Sequence, residues 1–294
     1  MRDESSQAEL EQPAFDIIAA LAQRECGLKI MPEKIMMVQS RLRHRLRALE
    51  LPDFETYSKL VDSHQGTNER RFMISALTTN VSHFFREPHH FDVLSTAMLP
   101  KLRERIQAKE RIRIWSAGCS NGQEPYSIAM HMLRLEPSLA QADFKILATD
   151  IDPKVVTFAR KGSYSDQLLS GVSKEDIAQF FNSGTGQASV KDSIRRCVTF
   201  HELNLMAEWP MQFKFDAVFC RNVVIYFDVE TQERLWPRFH SSLCDDGCFF
   251  LGHSERIANP ERFGFKSVGP TAYKKFSAEQ RHVATPFGEH NGTS

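Results

Sequence analysis

Residues 111–130, RIRIWSAGCSNGQEPYSIAM, constrain the fold more than any other stretch of the chain. A short apolar run at residues 112–115 leads into small residues ending at Gly122, and an apolar run at helical spacing starts at Pro125. A strand, a glycine-containing turn and a helix in this order let the backbone approach a nucleoside-bearing ligand closely, because glycine lacks a Cβ atom and tolerates positive φ. The stretch therefore predicts a βα unit with a ligand at its turn. An ordinary tight βα turn without a ligand is the alternative.

The spacing and charge of this turn narrow the class of ligand. The turn reads G-x-x-x-G from Gly118 to Gly122, whereas a dinucleotide-binding turn reads G-x-G-x-x-G. Glu124 lies at the start of the following helix, where its carboxylate would repel a diphosphate and favour a cationic or amino-bearing ligand. These two features point away from NAD and towards a ligand such as S-adenosylmethionine.

Composition excludes several broad classes of protein. The chain has 294 residues, with 37 Lys and Arg balanced by 37 Asp and Glu. Balanced charge predicts no general affinity for nucleic acid or for a membrane surface. No run of 18 apolar residues occurs, and the polar, acidic start is unlike a secretory signal, so we predict a cytoplasmic protein without membrane insertion.

The cysteines predict thiols rather than a metal site. Six cysteines occur without C-x-x-C spacing. His240, Cys244 and Cys248 are four residues apart, as metal ligands on one face of a helix would be. However, Cys248 falls in an apolar run of strand length after Gly247, which breaks that spacing. We therefore expect reduced, mostly buried thiols and no metal.

The predicted secondary structure changes near residue 111. Helical patterns without a convincing strand extend from residue 14 to about residue 107, and short apolar strands then alternate with helices. This alternation predicts an α/β fold with a mostly parallel sheet and helices on both faces. Residues 162–193 are long, polar and glycine-punctuated, which indicates an inserted subdomain or a functional loop.

One predicted helix, from Glu33 to about Leu49, carries an unusual density of arginine. Four arginines flank its apolar stripe, two on each side: Arg41 and Arg45, and Arg43 and Arg47. One interpretation is a packed helix with solvated guanidinium groups on apolar stems. The other is a basic ridge that receives an acidic partner, such as a glutamate-rich helix.

The strand ends predict where a ligand binds. In an open parallel sheet the ligand lies beyond the carboxyl ends of the strands, near the topological switch point. Asp150 ends the second strand, about one βα unit after the glycine turn, where a carboxylate accepts hydrogen bonds from ribose hydroxyls. The later strand ends supply two more pairs: Asn204 and Leu205, and Arg221 and Asn222. An acidic strand end without a ligand is the alternative reading of Asp150.

Two further stretches are rich in chemistry-bearing side chains. Residues 78–87, TTNVSHFFRE, place an amide, hydroxyls and the guanidinium of Arg86 between the helical part and the sheet. Residues 220–227, CRNVVIYF, place a polar pair and the phenol of Tyr226 after the fourth strand. Arg86 next to Glu87 also has a purely structural reading as a local ion pair.

These stretches together resemble the CheR-type chemotaxis receptor methyltransferases. The matching segments are TTNVSHFFRE, WSAGCSNGQEPYSIA, ATDID, NLM and FCRNVVIYFD, in that order, within a resemblance from about residue 15 to residue 276. The resemblance implies methyl transfer from S-adenosylmethionine to receptor glutamates, giving glutamyl methyl esters and S-adenosylhomocysteine. It also implies a monomer that acts on the cytoplasmic helical domain of methyl-accepting receptors, without nucleic acid.

The resemblance implies a domain organisation. A helical N-terminal domain would span residues 13–92, after a disordered lead at residues 1–12. A Rossmann-like, S-adenosylmethionine-dependent methyltransferase domain would span residues 93–276, with a small β-subdomain inserted at residues 163–193. The disordered lead, and a disordered tail at residues 277–294, are predicted from the polar composition of the two ends rather than from the resemblance.

The resemblance also implies site residues. Arg86 and Tyr226 would lie nearest the chemistry, and the arginine ridge would face the receptor. Cofactor contacts are implied at Asn80, Ser82, Arg86, Glu124, Asp150, Asn204, Leu205, Arg221 and Asn222, beside the turn at Gly118. Gln123 stands where the family commonly has a second Glu, so Glu124 is the only carboxylate of that turn.

Two other functions fit the same pattern. The first is methyl transfer to a different substrate, although a base-amine methylase would place prolines after the fourth strand, where Asn222 is followed by two valines. The second is a cofactor-binding signalling module without catalysis. Intact Arg86 and Tyr226 favour an enzyme.

Overall fold

The computed structural model describes residues 8–276. The predicted tail at residues 277–294 and the first seven residues of the predicted lead lie outside this range. The sequence predicts a disordered lead up to residue 12, but the structure describes residues 8–12 as ordered. Leu10 is buried and its N–H donates to Gln39 Oε1 at 2.8 Å, and the first helix begins at Gln12.

The first part of the chain is a four-helix domain with its own apolar core. Its helices are α1 (Gln12–Cys26), α2 (Ile35–Ala48), α3 (Phe54–Asp62) and α4 (Thr67–Leu77). Gly27 ends α1 in the left-handed conformation at φ 76°, which glycine adopts without steric cost. Asp53 begins α3 by accepting the Thr56 N–H at 2.8 Å. The predicted all-α character of the N-terminal domain is confirmed, whereas its bounds at residues 13–92 stay a prediction.

A strap at residues 78–88 leads from α4 to the second part of the chain. The elements that follow, in chain order, are α5 (His89–Val93), a π-helical turn (Leu94–Met98), α6 (Leu99–Gln107), β1 (Ile112–Ala117), α7 (Gln123–Leu135), β2 (Phe144–Asp150), α8 (Pro153–Lys161), β3 (Ser163–Ser165), α9 (Lys174–Phe180), β4 (Phe181–Gly184), β5 (Gln187–Val190), α10 (Asp192–Arg195), β6 (Val198–Glu202), β7 (Phe215–Cys220), α11 (Val229–Ser242), β8 (Leu243–Leu251), β9 (Phe265–Gly269) and β10 (Ala272–Lys275).

The main sheet has seven strands in the order β6-β2-β1-β7-β8-β10-β9. The first five in that order pair in parallel, and β10 pairs antiparallel with both β8 and β9. The chain runs outward from β1 through β2 to β6, and then returns to the other side of β1 with β7. The carboxyl ends of β1 and β7 therefore form the switch point at which ligands bind in such sheets.

Helices cover both faces of this sheet, as predicted. Successive residues of β1 point to opposite faces. Ile114 packs into the core that contains Ile128 of α7, and Trp115 packs into the core that contains Phe239 of α11. Because helices cover both faces, a ligand has to approach this sheet at the carboxyl edge of its strands.

Residues 163–190 contain a second, three-stranded antiparallel sheet in the order β3-β5-β4. Its buried Tyr164 reaches the glycine turn, where the hydroxyl donates to the Asn121 carbonyl at 2.7 Å. The inserted sheet therefore contributes a hydrogen bond that supports the turn after β1.

All six cysteines carry free thiols, and Cys244 alone among them is not fully buried. Cys244 and Cys248 both lie in β8, whereas His240 lies in α11, so the three share no helix face. Between residues 8 and 276 no helix has both the length and the apolar character needed to cross a membrane.

Candidate active site

A cavity opens at the carboxyl edge of the sheet, between the strap and the loops after β1, β2, β6 and β7. Every residue that the sequence suggested for the cofactor lines it, and Tyr226 lines it too. These residues are Asn80, Ser82, Arg86, Gly118, Glu124, Asp150, Asn204, Leu205, Arg221 and Asn222. Parallel strands end at the same edge, which brings segments distant in sequence to one place.

The two glycines of the turn after β1 are required by close packing and by backbone conformation. Gly118 has φ 86°, and a Cβ atom there would lie 2.3 Å from Val223 Cγ2. Gly122 has φ 85°, and a Cβ atom there would lie 2.8 Å from the Ala159 Cβ atom. Larger residues would push the turn away from α8 and from the β7 loop, which is residues 221–227.

Asp150 has the geometry of a hydroxyl acceptor. Its Oδ2 accepts the Ser120 N–H at 2.8 Å and its Oδ1 accepts the Asp152 N–H at 3.0 Å. Each oxygen retains an acceptor lone pair, so the carboxylate can receive two hydroxyl donors from the cavity. Burial raises the pKa of Asp150 to about 6, so the group is ionised at neutral pH.

A largely buried row of alternating charges runs beside the cavity, whose lining includes Glu124 and Arg221. The Arg221 side chain is only 2% exposed, and its guanidinium lies 3.5 Å from Glu87 Oε2 and 3.4 Å from Glu124 Oε2. It also donates to the Arg86 carbonyl. Burial raises the pKa of Glu124, while Arg221 and the Ser116 hydroxyl at 2.6 Å favour its charged form. Arg221 thus joins the strap, the β1 turn and the β7 loop electrostatically.

Arg86 differs from Arg221 because its guanidinium makes only long contacts. Its Nε lies 3.8 Å from Glu87 Oε1, and its Nη1 lies 3.5 Å from the Val81 carbonyl. The side chain is 26% exposed at the cavity wall. The local pair with Glu87 therefore leaves the Arg86 donors available to an anionic ligand group.

The backbone around the cavity is held in an uncommon conformation. Four non-glycine residues next to it have left-handed φ values: Phe85 (53°), Glu87 (57°), Ser120 (49°) and Asn222 (59°). Such residues persist only where surrounding contacts determine their conformation, and they concentrate at functional sites. The Phe85 N–H, for example, donates to Ser127 Oγ of α7 at 2.9 Å.

The helical domain completes the cavity, which the sequence did not predict. Cys26 and Leu28 at the end of α1 line it. Asn204 Nδ2 donates to the Glu25 carbonyl at 2.6 Å, and the Lys29 N–H donates to the Tyr226 carbonyl at 2.8 Å. The loops after β6 and β7 are therefore both fastened to the end of α1.

Two acidic residues with a role at the site also escaped prediction. Asp152 accepts Asn80 Nδ2 at 2.8 Å and Ser75 Oγ at 2.7 Å, which ties the strap and α4 to the end of β2. Glu87 was interpreted only as a partner of Arg86, whereas it faces Arg221. Asp152 lies in the segment ATDID and Glu87 in the segment TTNVSHFFRE, so membership of these segments could have indicated both residues as part of the site.

Glu87, His89 and His90 place potential metal-ligand atoms within 4.8 Å of one another. A cation at that point would lie against the guanidinium of Arg221, which contacts the same Glu87 carboxylate at 3.5 Å. Burial opposes ionisation of Glu87, but the positive charge of Arg221 and the His253 N–H outweigh it and hold the pKa of Glu87 low. We therefore assign Glu87 to Arg221 rather than to a metal.

Two of the four arginines of the predicted basic ridge bind partners within the helical domain. Arg45 forms a two-bond ion pair with buried Glu69, at 2.8 and 2.6 Å, and Arg41 donates to the Leu77 carbonyl at 2.5 Å. Their flank of α2 faces α4, so these guanidinium groups hold the helical domain together. Arg43 and Arg47 lie on the other flank, where Arg47 is exposed.

Comparison with known proteins gives two family matches. The family described as "CheR methyltransferase, all-alpha domain" matches residues 13–78, and the one described as "CheR methyltransferase, SAM binding domain" matches residues 80–272.

Three curated relatives are similar over nearly their full lengths. A probable chemotaxis protein methyltransferase of Rhizobium etli is 46% identical, over 85% of this chain and 95% of its own. Chemotaxis protein methyltransferase 2 of Pseudomonas aeruginosa is 40% identical, over 85% and 88%. The chemotaxis protein methyltransferase of Escherichia coli is 39% identical, over 90% and 91%.

Proposed function

Because the chain belongs to the CheR family of S-adenosylmethionine-dependent methyltransferases, we propose that it methylates glutamate side chains of chemotaxis receptors. The products would be glutamyl methyl esters and S-adenosylhomocysteine. The observation that carries the proposal is the gathering of Asp150, Glu124, Arg86 and Tyr226 around one cavity at the switch point of the sheet.

The contacts of each side chain support a division of roles toward the cofactor. Asp150 would accept hydrogen bonds from the ribose hydroxyls with its two remaining lone pairs. Arg86, whose donors lack short partners among the described residues, would bind the methionine carboxylate. Glu124 would face the amino group or hydroxyls of the ligand, because Arg221 and Ser116 hold its carboxylate at the start of α7.

Methyl transfer to a carboxylate needs no general base. A glutamate with an ordinary pKa of about 4.3 is already ionised at neutral pH. Bound S-adenosylmethionine would supply the methyl group, so that a C–O bond forms as the C–S bond breaks and S-adenosylhomocysteine leaves. The protein then has to position the carboxylate and exclude water from it. Tyr226 would orient the incoming glutamate through its hydroxyl.

The Arg86 assignment predicts a loss of cofactor affinity without a loss of stability. Replacing Arg86 with glutamine removes a charge-assisted hydrogen bond, which contributes about 1.5–3 kcal/mol. The dissociation constant for S-adenosylhomocysteine should therefore rise about tenfold to a hundredfold, measured by titration calorimetry. The melting temperature should stay unchanged, because Arg86 makes only long contacts within the protein.

Arg111→Gln is the matched control, since Arg111 is 78% exposed and lies just before the amino end of β1. It should bind S-adenosylhomocysteine like the wild type. Unchanged affinity in Arg86→Gln would remove Arg86 from the cofactor site.

The receptor surface is proposed on the flank of α2 that carries exposed Arg47 and partly buried Arg43. Arg43 and Arg47 would face an acidic, glutamate-rich helix of the cytoplasmic receptor domain. Reversing both charges to glutamate should raise the KM for receptor severalfold, and less so at high salt, with unchanged affinity for S-adenosylhomocysteine. Arg45→Glu should instead unfold the helical domain, because it places a carboxylate against buried Glu69. An unchanged receptor KM in the double reversal would exclude this flank as the docking surface.

The chemistry of the product tests the overall function. Receptor-containing membranes would be incubated with the protein and methyl-tritiated S-adenosylmethionine, and then treated with base. Methyl esters release volatile methanol, whereas N-methyl products retain the label and a non-catalytic module transfers none. Preferential binding of S-adenosylhomocysteine over NAD would test the cofactor separately.

The proposal places the reaction in the cytoplasm, where free thiols stay reduced, and assigns it to a monomer. Cell fractionation and light scattering of the purified protein test these two points.

A further inference from the structure

A buried carboxylate outside the cavity holds the loop that follows β7. Glu255 is 3% exposed and lies in the turn after β8. It accepts four backbone N–H groups: Gly252 at 2.5 Å, Asn222 at 2.8 Å, Val223 at 2.9 Å and Ile225 at 3.0 Å. Three of these donors belong to the loop that follows β7, so one side chain is the common acceptor for three backbone N–H groups of that loop.

The β7 loop, residues 221–227, forms much of the wall of the candidate active site. Arg221, Asn222, Val223 and Tyr226 all line the cavity. Val223 also packs directly over the glycine turn, where its Cγ2 would lie 2.3 Å from a Cβ atom at Gly118. A small shift of this loop would therefore move groups on several sides of the cavity together.

The chemistry of the contact requires a carboxylate. An ionised carboxylate is an acceptor only, and its two oxygens offer enough lone pairs for four donors. Glutamine has nearly the same shape but would direct amide hydrogens at backbone N–H groups, which leaves buried donors without an acceptor.

The backbone of the loop depends on this carboxylate for its conformation. Asn222 has φ 59°, a left-handed conformation that a non-glycine residue adopts only when its surroundings determine it. Gly252 also packs closely against Asn222, because a Cβ atom at Gly252 would lie 2.7 Å from the Asn222 nitrogen. Glu255 thus fixes the loop at its most strained residue.

We propose that Glu255 is a positioning residue for methyl transfer, which holds Asn222 and Tyr226 in the cavity through the backbone of the β7 loop. Glu255 does not line the cavity. The inference rests on the proposed function, because the effect of Glu255 is expected on cofactor affinity and turnover at that site.

Glu255→Gln provides the test. At a temperature where circular dichroism shows the variant folded, its dissociation constant for S-adenosylhomocysteine should rise at least about tenfold. Asn222→Ala should then cost less additional affinity in the Glu255→Gln background than in the wild type, since residues that act through one loop are not additive.

Asp216→Asn is the matched control. Asp216 is also a buried carboxylate, but it lies at the amino end of β7 and accepts the Arg113 N–H of β1 at 2.8 Å, near the end of the sheet opposite the cavity. This variant should lose stability and keep its affinity for S-adenosylhomocysteine. Equal affinity losses in the two variants, or no loss in Glu255→Gln, would overturn the proposal. Failure of the wild type to bind S-adenosylhomocysteine would instead overturn the proposed function.

Amide hydrogen exchange of the wild type keeps the proposal testable if Glu255→Gln does not fold. The amides of Asn222, Val223 and Ile225 should exchange as slowly as those of β7, although they belong to a loop. Fast exchange at all three amides would contradict the proposal.

Discussion

Replacing Arg221 with methionine is expected to destabilise the protein by about 3–5 kcal/mol and to abolish cofactor binding. The substitution keeps the apolar stem but leaves the carboxylates of Glu87 and Glu124 buried without the cation that lies within 3.5 Å of each. Breaking one partner out of a buried charge network is costly because the remaining charges stay desolvated. Chemical denaturation and calorimetric titration with S-adenosylhomocysteine measure the two effects.

Two further variants separate charge balance from simple loss of packing. Glu124→Gln added to Arg221→Met removes one unpaired carboxylate and should recover part of the lost stability, without restoring cofactor binding. Arg45→Met breaks a less buried ion pair with Glu69, in which the Arg45 side chain is 14% exposed, within the helical domain rather than at the cavity. It should lower stability and leave cofactor affinity intact. Normal stability of Arg221→Met would show that the buried row of charges does not stabilise the fold.

Gly118→Ala is expected to lower kcat/KM about a hundredfold, because the added methyl group displaces the wall of the candidate active site. Its Cβ atom would lie 2.3 Å from Val223 Cγ2, so either the glycine turn or the β7 loop has to move. The left-handed backbone at φ 86° adds a cost of about 1–2 kcal/mol for any residue with a Cβ atom. Steady-state kinetics with S-adenosylmethionine measure the loss.

Gly186→Ala isolates the backbone contribution. Gly186 has φ 71°, but no described atom lies within 4 Å of its added Cβ position. Gly186→Ala should therefore lose about 1–2 kcal/mol of stability from the backbone conformation alone and keep its activity. Val223→Ala combined with Gly118→Ala relieves the contact and should recover part of kcat/KM. A fully active Gly118→Ala variant would contradict the close packing of the turn and the loop.

Local patterns in the sequence were sufficient for the architecture and for most of the cavity. Apolar periodicity predicted helices before residue 107 and alternating strands after residue 111, because burial of one face depends on residues close together in the chain. The sequence predicts a ligand site at the glycine turn, Asp150 and Arg221, because ligands bind where parallel strands end and the ends of strands can be predicted from the sequence. These positions lie around one cavity.

The partners of charged side chains depended instead on contacts between distant segments. Arg41 and Arg45 looked equivalent to Arg43 and Arg47 on a helical wheel, yet the packing of α4 against one flank engages the first pair. Glu255 showed no motif, because its role comes from backbone amides about 30 residues earlier in the chain. Periodicity reports which side of an element is apolar, whereas the choice of a polar partner requires the position of every neighbouring element.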